Sequence, residues 1–386
     1  MKFSTAYGRN GGKSMNRASQ PIHPNPNDDS YLTKDVFLMG GLSIFVSLLV
    51  WLTVDKGESL FAVSQLAFVL AFAVNHPHFL SSYILLYRDS RMHILRRPRY
   101  FWSAVVVPIV LGSVLVVSLL TSNKEIMAHV ITSMFFFVGW HYVKQVFGCI
   151  IVTTVQRKMY YSVWERRLLL TNLFAMWFLS WATSQVSYGP AQGVTDNAFL
   201  FYDIPHYRLN LHPLFLQTSY VVLALTLLGI VVMHLHRYIR LGWKPSPPAV
   251  AAFFALYAWY IPAAVHPAFA FFIPLFHSLQ YLAFVWSLKK NQVAHEIQEL
   301  SGTQWRSAWT KKFIGFFVLA VVLGALAFEW VPKLLDSQGL VHGLGSSPFL
   351  VAFLLFVNIH HYFIDNTIWR ADNATVKQFL FSPAQR

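Results

Sequence analysis

A succession of apolar stretches constrains this chain more than any other feature. Each is about as long as the roughly 20 residues a helix needs to cross a bilayer. They run over Val36–Val54, Leu60–Tyr87, Tyr100–Thr121, Ile126–Val155, Leu168–Gln185, Pro213–His236, Ala249–Val265, Pro267–Leu288, Phe313–Val331 and Pro348–Trp369. Little more than His266 and Pro267 separates the seventh from the eighth, which predicts a tight hairpin there and a count of ten, with nine as the alternative. Only 12% of the residues are Asp, Glu, Lys or Arg, about half the share usual in soluble domains. That is too few to cover two or three soluble domains, so the expected class is all-α: a polytopic membrane helical bundle. The single cysteine, Cys149, rules out an intrachain disulfide.

The net charge of +14 would suggest nucleic acid in a soluble protein, but here it follows the spans. With a cytoplasmic N-terminus and ten spans, 25 of the 30 Lys and Arg fall on one side, in clusters such as Arg88, Arg91, Arg96, Arg97 and Arg99. Four fall opposite: Lys56, Lys124, Arg208 and Lys333. Nine spans would put a basic cluster on the wrong side. Both termini are therefore expected to be cytoplasmic, with the bilayer as partner, no nucleic acid, and a bacterial inner membrane as location. Residues 1–32 are rich in Ser, Asn, Gly and Pro and lack the apolar run of a signal peptide, which predicts a disordered tail. The transmembrane domain then covers 33–370 and a cytoplasmic C-terminal tail 371–386. Val186–His212 is the longest outer loop and a candidate cap, and Val293–Leu300 a candidate surface helix.

Several histidines lie inside spans, where ionisable groups are costly and usually face a bundle interior. They are His76 and His78 in the second span, His141 in the fourth, His277 in the eighth, and His360 and His361 in the tenth. All four spans are even-numbered and so run in the same direction. His78 lies 10 residues before Arg88, His277 12 before Lys289, and His360 10 before Arg370. At 1.5 Å per residue these positions sit about 15–18 Å from the inner boundary, close to mid-membrane. His141 lies 16 residues before Arg157, or about 24 Å. A lone intramembrane histidine more often packs or hydrogen-bonds between helices than binds a metal. Four at similar depth on parallel spans favour one shared site.

Their neighbours extend the pattern. His141, Lys144 and Gln145 share a helix face, as do His277, Gln280 and Tyr281, and also Asn358, His361 and Asp365. Asn75, His76, His78 and Ser81 make a polar patch at Pro77. A metal-bound imidazole passes its other N–H to a carboxylate, carbonyl or water. Asp365, Gln145 and Gln280 are candidates for that role, and Asn358 for support. Lys144 is the only Lys or Arg inside a span, open to snorkelling, acid pairing or anion binding.

Imidazoles with few carboxylates suit Fe(II), Zn(II) or Cu(II). The HxxxH and HxxHH boxes of di-iron desaturases are missing, while paired histidines leave haem open. The words Pro77-His78, His141-Tyr142, His277-Ser278 and His360 with Asp365 resemble, in that order, those of the bacterial Brp/Blh family of membrane β-carotene 15,15′-dioxygenases. The chain departs from that pattern in having Tyr281 where the family has a second histidine, and no Asp soon after Pro77-His78.

The resemblance implies non-haem Fe(II), O2 as co-substrate and a lipid-soluble substrate: a carotenoid, isoprenoid or lipid. His78, His141, His277 and His360 are the expected ligands, with His76 and His361 as alternates. Asp365 and Gln145 would orient them, Tyr281 would face metal or substrate, and Lys144 belongs to the catalytic candidates. The rivals are a transporter or channel with a His-lined path, and a haem electron carrier. Zinc and haem are the alternative cofactors.

Overall fold

The computed structural model describes residues 34–186, 198–207, 209–370 and 372–381. The tail predicted over residues 1–32 and the outer-loop segment 187–197 lie outside the described residues. Ten long helices follow in order: α1 (Lys34–Thr53), α2 (Glu58–Asp89), α3 (Pro98–Thr121), α4 (Lys124–Val155), α5 (Val163–Gln185), α6 (Leu214–Leu241), α7 (Pro247–Val265), α8 (Pro267–Glu296), α9 (Gly302–Ser337) and α10 (Pro348–Ile368). Among the described residues, nine are long and apolar enough to cross a membrane. The exception is α5, which opens on the charged run Glu165, Arg166 and Arg167.

A capping box between Ser162 and Glu165 starts α5, and Glu165 then pairs with Arg237 of α6. Deeper in, Asn172 of α5 donates to Thr226 Oγ1 at 3.0 Å and accepts from the Tyr257 hydroxyl at 2.7 Å. These bonds satisfy a polar side chain between α5, α6 and α7.

Burial separates the helices into two kinds. In α10, 67% of the most apolar window is buried, whereas in α6 the figure is 11%. A helix apolar all round yet exposed on nearly every side needs an apolar solvent. Leu225, Leu228, Val231, Val232 and Leu235 of α6 would meet lipid. Helices α2, α4, α8 and α10 carry the intramembrane histidines. On α9, a Cβ at Gly324 would stand 2.5 Å from the Cβ of His76, so glycine permits the close approach of α9 to α2.

Three local outcomes differ from the sequence expectations. The seventh and eighth spans are joined at His266, but α8 begins as a 3-10 helix, Pro267–Phe272. Val293 and Ile297 do not form a surface helix. They continue α8 and its end, and bury against Phe313 of α9, because their apolar side chains find a partner there. The outer loop includes a short antiparallel hairpin, β1 (Ala198–Phe201) and β2 (Ile204–Tyr207), so the bundle is not helical throughout. Its turn residues Tyr202 and Asp203 have φ of 50° and 65°, the double left-handed conformation of a tight hairpin. At the other end, residues 374–381 dock on the bundle. Val376 and Leu380 are buried, and the Leu380 carbonyl accepts from Gln156 Nε2 at 2.9 Å.

Candidate metal centre

Four histidines from four helices meet in the interior: His78 (α2), His141 (α4), His277 (α8) and His361 (α10). One nitrogen from each lies within 4.8 Å of those from all the others. All four side chains are buried. The Nε2 atoms of His78 and His361 are 2.9 Å apart, and those of His141 and His277 are 3.2 Å apart. Metal–imidazole bonds of about 2.0–2.1 Å place adjacent donors about 3 Å from one another.

The rings are held by aromatic neighbours and short polar partners. Tyr281 stacks on His78 with centroids 4.1 Å apart, Tyr362 on His141 at 4.8 Å, and Tyr142 lies 4.2 Å from His277. Ser82 Oγ lies 2.7 Å from His361 Nδ1 and donates its hydrogen to the Phe79 carbonyl. Ser278 Oγ lies 2.6 Å from His78 Nδ1 and donates to Asn75 Oδ1. A hydroxyl has one hydrogen, so each imidazole must donate through Nδ1. The lone pair of each Nε2 then points to the centre, as a metal ligand requires. Each serine serves a histidine of a different helix: Ser82 of α2 acts on α10, and Ser278 of α8 acts on α2.

Asp365 lies beside the cluster, near two of its four histidines. It lies one turn after His361, with Oδ2 3.2 Å from His361 Nε2 and 3.8 Å from His141 Nε2. Its Oδ1 accepts from the Tyr281 hydroxyl at 3.0 Å, and Trp369 Nε1 donates to that hydroxyl at 3.2 Å. The four converging imidazole nitrogens, with the Nε2 lone pairs of His78 and His361 aimed inward, fit a divalent metal ion.

Not every predicted residue is in this cluster. His360 faces away: Nε2 contacts the Ser103 carbonyl at 2.7 Å and Nδ1 the Tyr83 hydroxyl at 2.9 Å. Both its nitrogens are engaged, and one residue of helix turns its ring about 100° from that of His361. His361 takes the place expected for His360. His76 stacks on Phe328 with centroids 4.9 Å apart, its Nε2 buried and without a hydrogen-bond partner.

Gln145 and Gln280 do not accept from imidazoles. Gln145 Nε2 donates to the His277 carbonyl and to Gln280 Oε1, both at 2.9 Å, and Gln280 Nε2 donates to Met39 O at 2.6 Å. They tie α4, α8 and α1 together around the cluster. Asn358 accepts from Tyr362, the ring under His141. Lys144 is half-buried and has Arg370 as an electrostatic neighbour, outside the histidine cluster. The roles of Ser82, Ser278, Tyr142 and Tyr362 were not foreseen. Ser278 directly follows His277 and Ser82 lies one turn beyond His78, but both act across helices.

A cavity of about 1520 Å³ opens above the cluster. His277, Ser278 and Asn75 line its deep end, and Phe68, Phe72 and Phe136 are among its many aromatic walls. Near its mouth stand Gln65, His129 and Gln185, with Phe201, Tyr202 and Tyr207 of the hairpin across it. The hairpin is fastened to α4 where the Tyr207 N–H donates to Thr132 Oγ1 at 3.0 Å and the Tyr207 hydroxyl donates to Glu125. Comparison with protein families, curated proteins and solved structures finds no match for this chain.

Proposed function

We propose that this chain is an integral-membrane oxygenase that uses non-haem Fe(II) and O2 on a lipid-soluble substrate of the carotenoid, isoprenoid or lipid class. The observation that carries the reading is the buried four-histidine cluster at the deep end of a large, aromatic cavity. His78, His141, His277 and His361 would hold the metal. Bound there, iron supplies the dioxygen chemistry that protein side chains lack. Ser82 and Ser278 keep two of the imidazoles in the ligating tautomer. The aromatic walls accept an apolar chain and exclude water. In this reading the chain crosses the membrane ten times, α5 included, with both termini on the basic, cytoplasmic face of a bacterial inner membrane.

The rival readings fit the geometry less well. A bis-histidine haem needs a porphyrin between two imidazoles, and Nε2 atoms 2.9 and 3.2 Å apart leave no room for one. A channel needs polar lining on both sides of the histidines, whereas the cavity residues lie at their level or on the outer side.

The test is metal analysis and a visible spectrum of the purified protein, followed by incubation with β-carotene in air. The expected result is about one iron per chain, no Soret band, and retinal as product. His78→Ala, His141→Ala, His277→Ala and His361→Ala should each lose iron, while His360→Ala should retain it. Iron retained by all four variants, or an intense Soret band, would overturn the reading.

A further inference from the structure

We propose that Tyr142 and Asn75 hold a neutral oxygen atom of the bound molecule at the cavity floor, so that the site takes an apolar molecule bearing a hydroxyl or carbonyl group. This rests on the proposed function and deepens it by naming the polar feature that the cavity recognises.

Most polar groups around the floor are satisfied within the protein. Ser278 donates to Asn75 Oδ1 and accepts from His78. Asn358 donates to the Leu354 carbonyl and accepts the hydrogen of the Tyr362 hydroxyl. The Tyr260 hydroxyl, His76 Nε2 and His277 Nδ1 lack partners but are enclosed, with no surface open to a ligand.

Two groups remain. Tyr142 lies one residue after His141, and its ring packs 4.2 Å from that of His277. It is only 7% exposed, and it lines the cavity. No described residue hydrogen-bonds its hydroxyl, which is not among the enclosed polar atoms, so the hydroxyl opens into the cavity. Asn75, on the α2 wall, spends Oδ1 on Ser278, which leaves Nδ2 without an acceptor at the cavity surface. Buried polar groups are nearly always paired, and donors that face an aromatic cavity instead point to a ligand that supplies the acceptor.

Both donors require a lone pair, which a hydroxyl or carbonyl oxygen offers. Charge does not suit the place. Among the described residues, the cavity wall contains no Lys, Arg, Asp or Glu, so a carboxylate or phosphate would find no cationic side chain there. The match is a neutral oxygen beside the histidine cluster, with the apolar remainder of the molecule against Phe68, Phe72 and Phe136. Retinal, the aldehyde expected from β-carotene under the proposed activity, carries such an oxygen.

Trp177 and Trp181 also line the cavity, so quenching of their fluorescence reports its occupancy. The full-length protein in detergent is stripped of metal with a chelator. It is then titrated with retinol and with the hydrocarbon that has hydrogen in place of the retinol hydroxyl. Comparing variant with wild type for the same polyene cancels its partition into detergent. Tyr142→Phe keeps the ring against His277 and removes only the hydroxyl. It should bind retinol about 10-fold more weakly than wild type, the scale of one neutral hydrogen bond, and bind the hydrocarbon unchanged. Its iron content before stripping should equal that of wild type. Asn75→Asp, which keeps an acceptor for Ser278 and removes the amide donor, is the second variant and should show the same loss confined to retinol.

Unchanged retinol affinity in both variants would mean that these donors bond cavity water only, which overturns the proposal and leaves the proposed function standing. An equal loss for both polyenes would mean that the two residues shape the wall without holding an oxygen, and loss of iron from Tyr142→Phe would mean that its hydroxyl serves the histidines. Either result overturns the proposal as well. If wild type binds neither polyene, the lipid-soluble substrate fails, and the proposed function with it.

Discussion

The two sides of the histidine layer are built differently. On the outer side a cavity of about 1520 Å³ reaches down to His277 and Ser278 between aromatic walls. On the inner side the same helices close up. Tyr281, Asp365 and Trp369 form a hydrogen-bonded plug. Val285, Leu288, Ile364 and Ile368 are packed to near-zero exposure around it. Further in, Lys289 donates to Asp89 Oδ2 at 2.9 Å and to Gln292 at 2.8 Å, with Phe316 beneath its ammonium group. Open above and sealed below, the cluster is accessible from one side only. A permeation pathway needs access from both, whereas a site that takes up and returns a lipid-soluble molecule does not.

The largest effect should come from making the outer side resemble the inner. Ala263 and Ala264 of α7 line the cavity. Replacing both with Trp fills space that the proposed substrate would occupy, away from the four-histidine cluster. On the proposed activity, conversion of β-carotene to retinal, followed by absorbance, should fall about 100-fold or more, the scale at which misplaced substrates lose rate. Iron content should stay at the wild-type level. Equal loss of iron and turnover would mean that the cavity supports the fold rather than admitting substrate.

The reverse change loosens the inner side. Lys289→Ala removes the main partner of Asp89, although Arg88 Nε still lies 2.8 Å from its Oδ1. Leaving a buried charge unpaired costs about 3–5 kcal/mol, and the remaining arginine lowers the expected cost to about 2–3 kcal/mol. The variant should denature earlier in a thermal scan in detergent, with wild-type iron content at low temperature. An unchanged scan would show that packing alone seals this side.

The contrast between the sides was only partly legible in the sequence. Apolar length marked the helices, because a span must satisfy its backbone internally and so shows as an unbroken run. The charge count implied a common direction for α2, α4, α8 and α10, which made a shared histidine layer conceivable. Within that layer, depth alone could not separate His360 from His361, which differ by one residue. Rotation separates them, and the stripe Asn358, His361, Asp365 already held that information: a four-residue step keeps a helix face and a five-residue step leaves it. The 24 Å depth of His141 misled because α4 continues inward well past the cluster, with Thr153 and Thr154 buried near its end, so its first inner charge comes late. Gln145 and Gln280 were plausible partners by type. Their long side chains instead reach backbone carbonyls and each other, and the shorter serines of neighbouring helices meet the imidazoles. That pairing depends on which helices touch, and nothing local encodes it. The hairpin over the cavity was hidden for a similar reason, since a two-strand ribbon of four residues each has little pattern of its own.

The smallest effect expected tests those serines, which join the two sides. Ser278 lines the cavity and holds His78, while Ser82 is fully buried and holds His361. Ser278→Ala and Ser82→Ala each remove the acceptor for one Nδ1–H and leave the ligand itself in place. Loss of such a supporting partner typically weakens metal binding 10–100-fold, or about 1.4–2.7 kcal/mol. Both variants should therefore still bind iron when it is abundant and lose it first in a chelator titration. The cost should be larger for Ser82→Ala, because the cavity beside Ser278 offers room for a water to replace the lost hydroxyl. Equal costs would mean that the cavity floor is as dry as the sealed side. No cost at either position would mean that the imidazole tautomers are set by the metal alone.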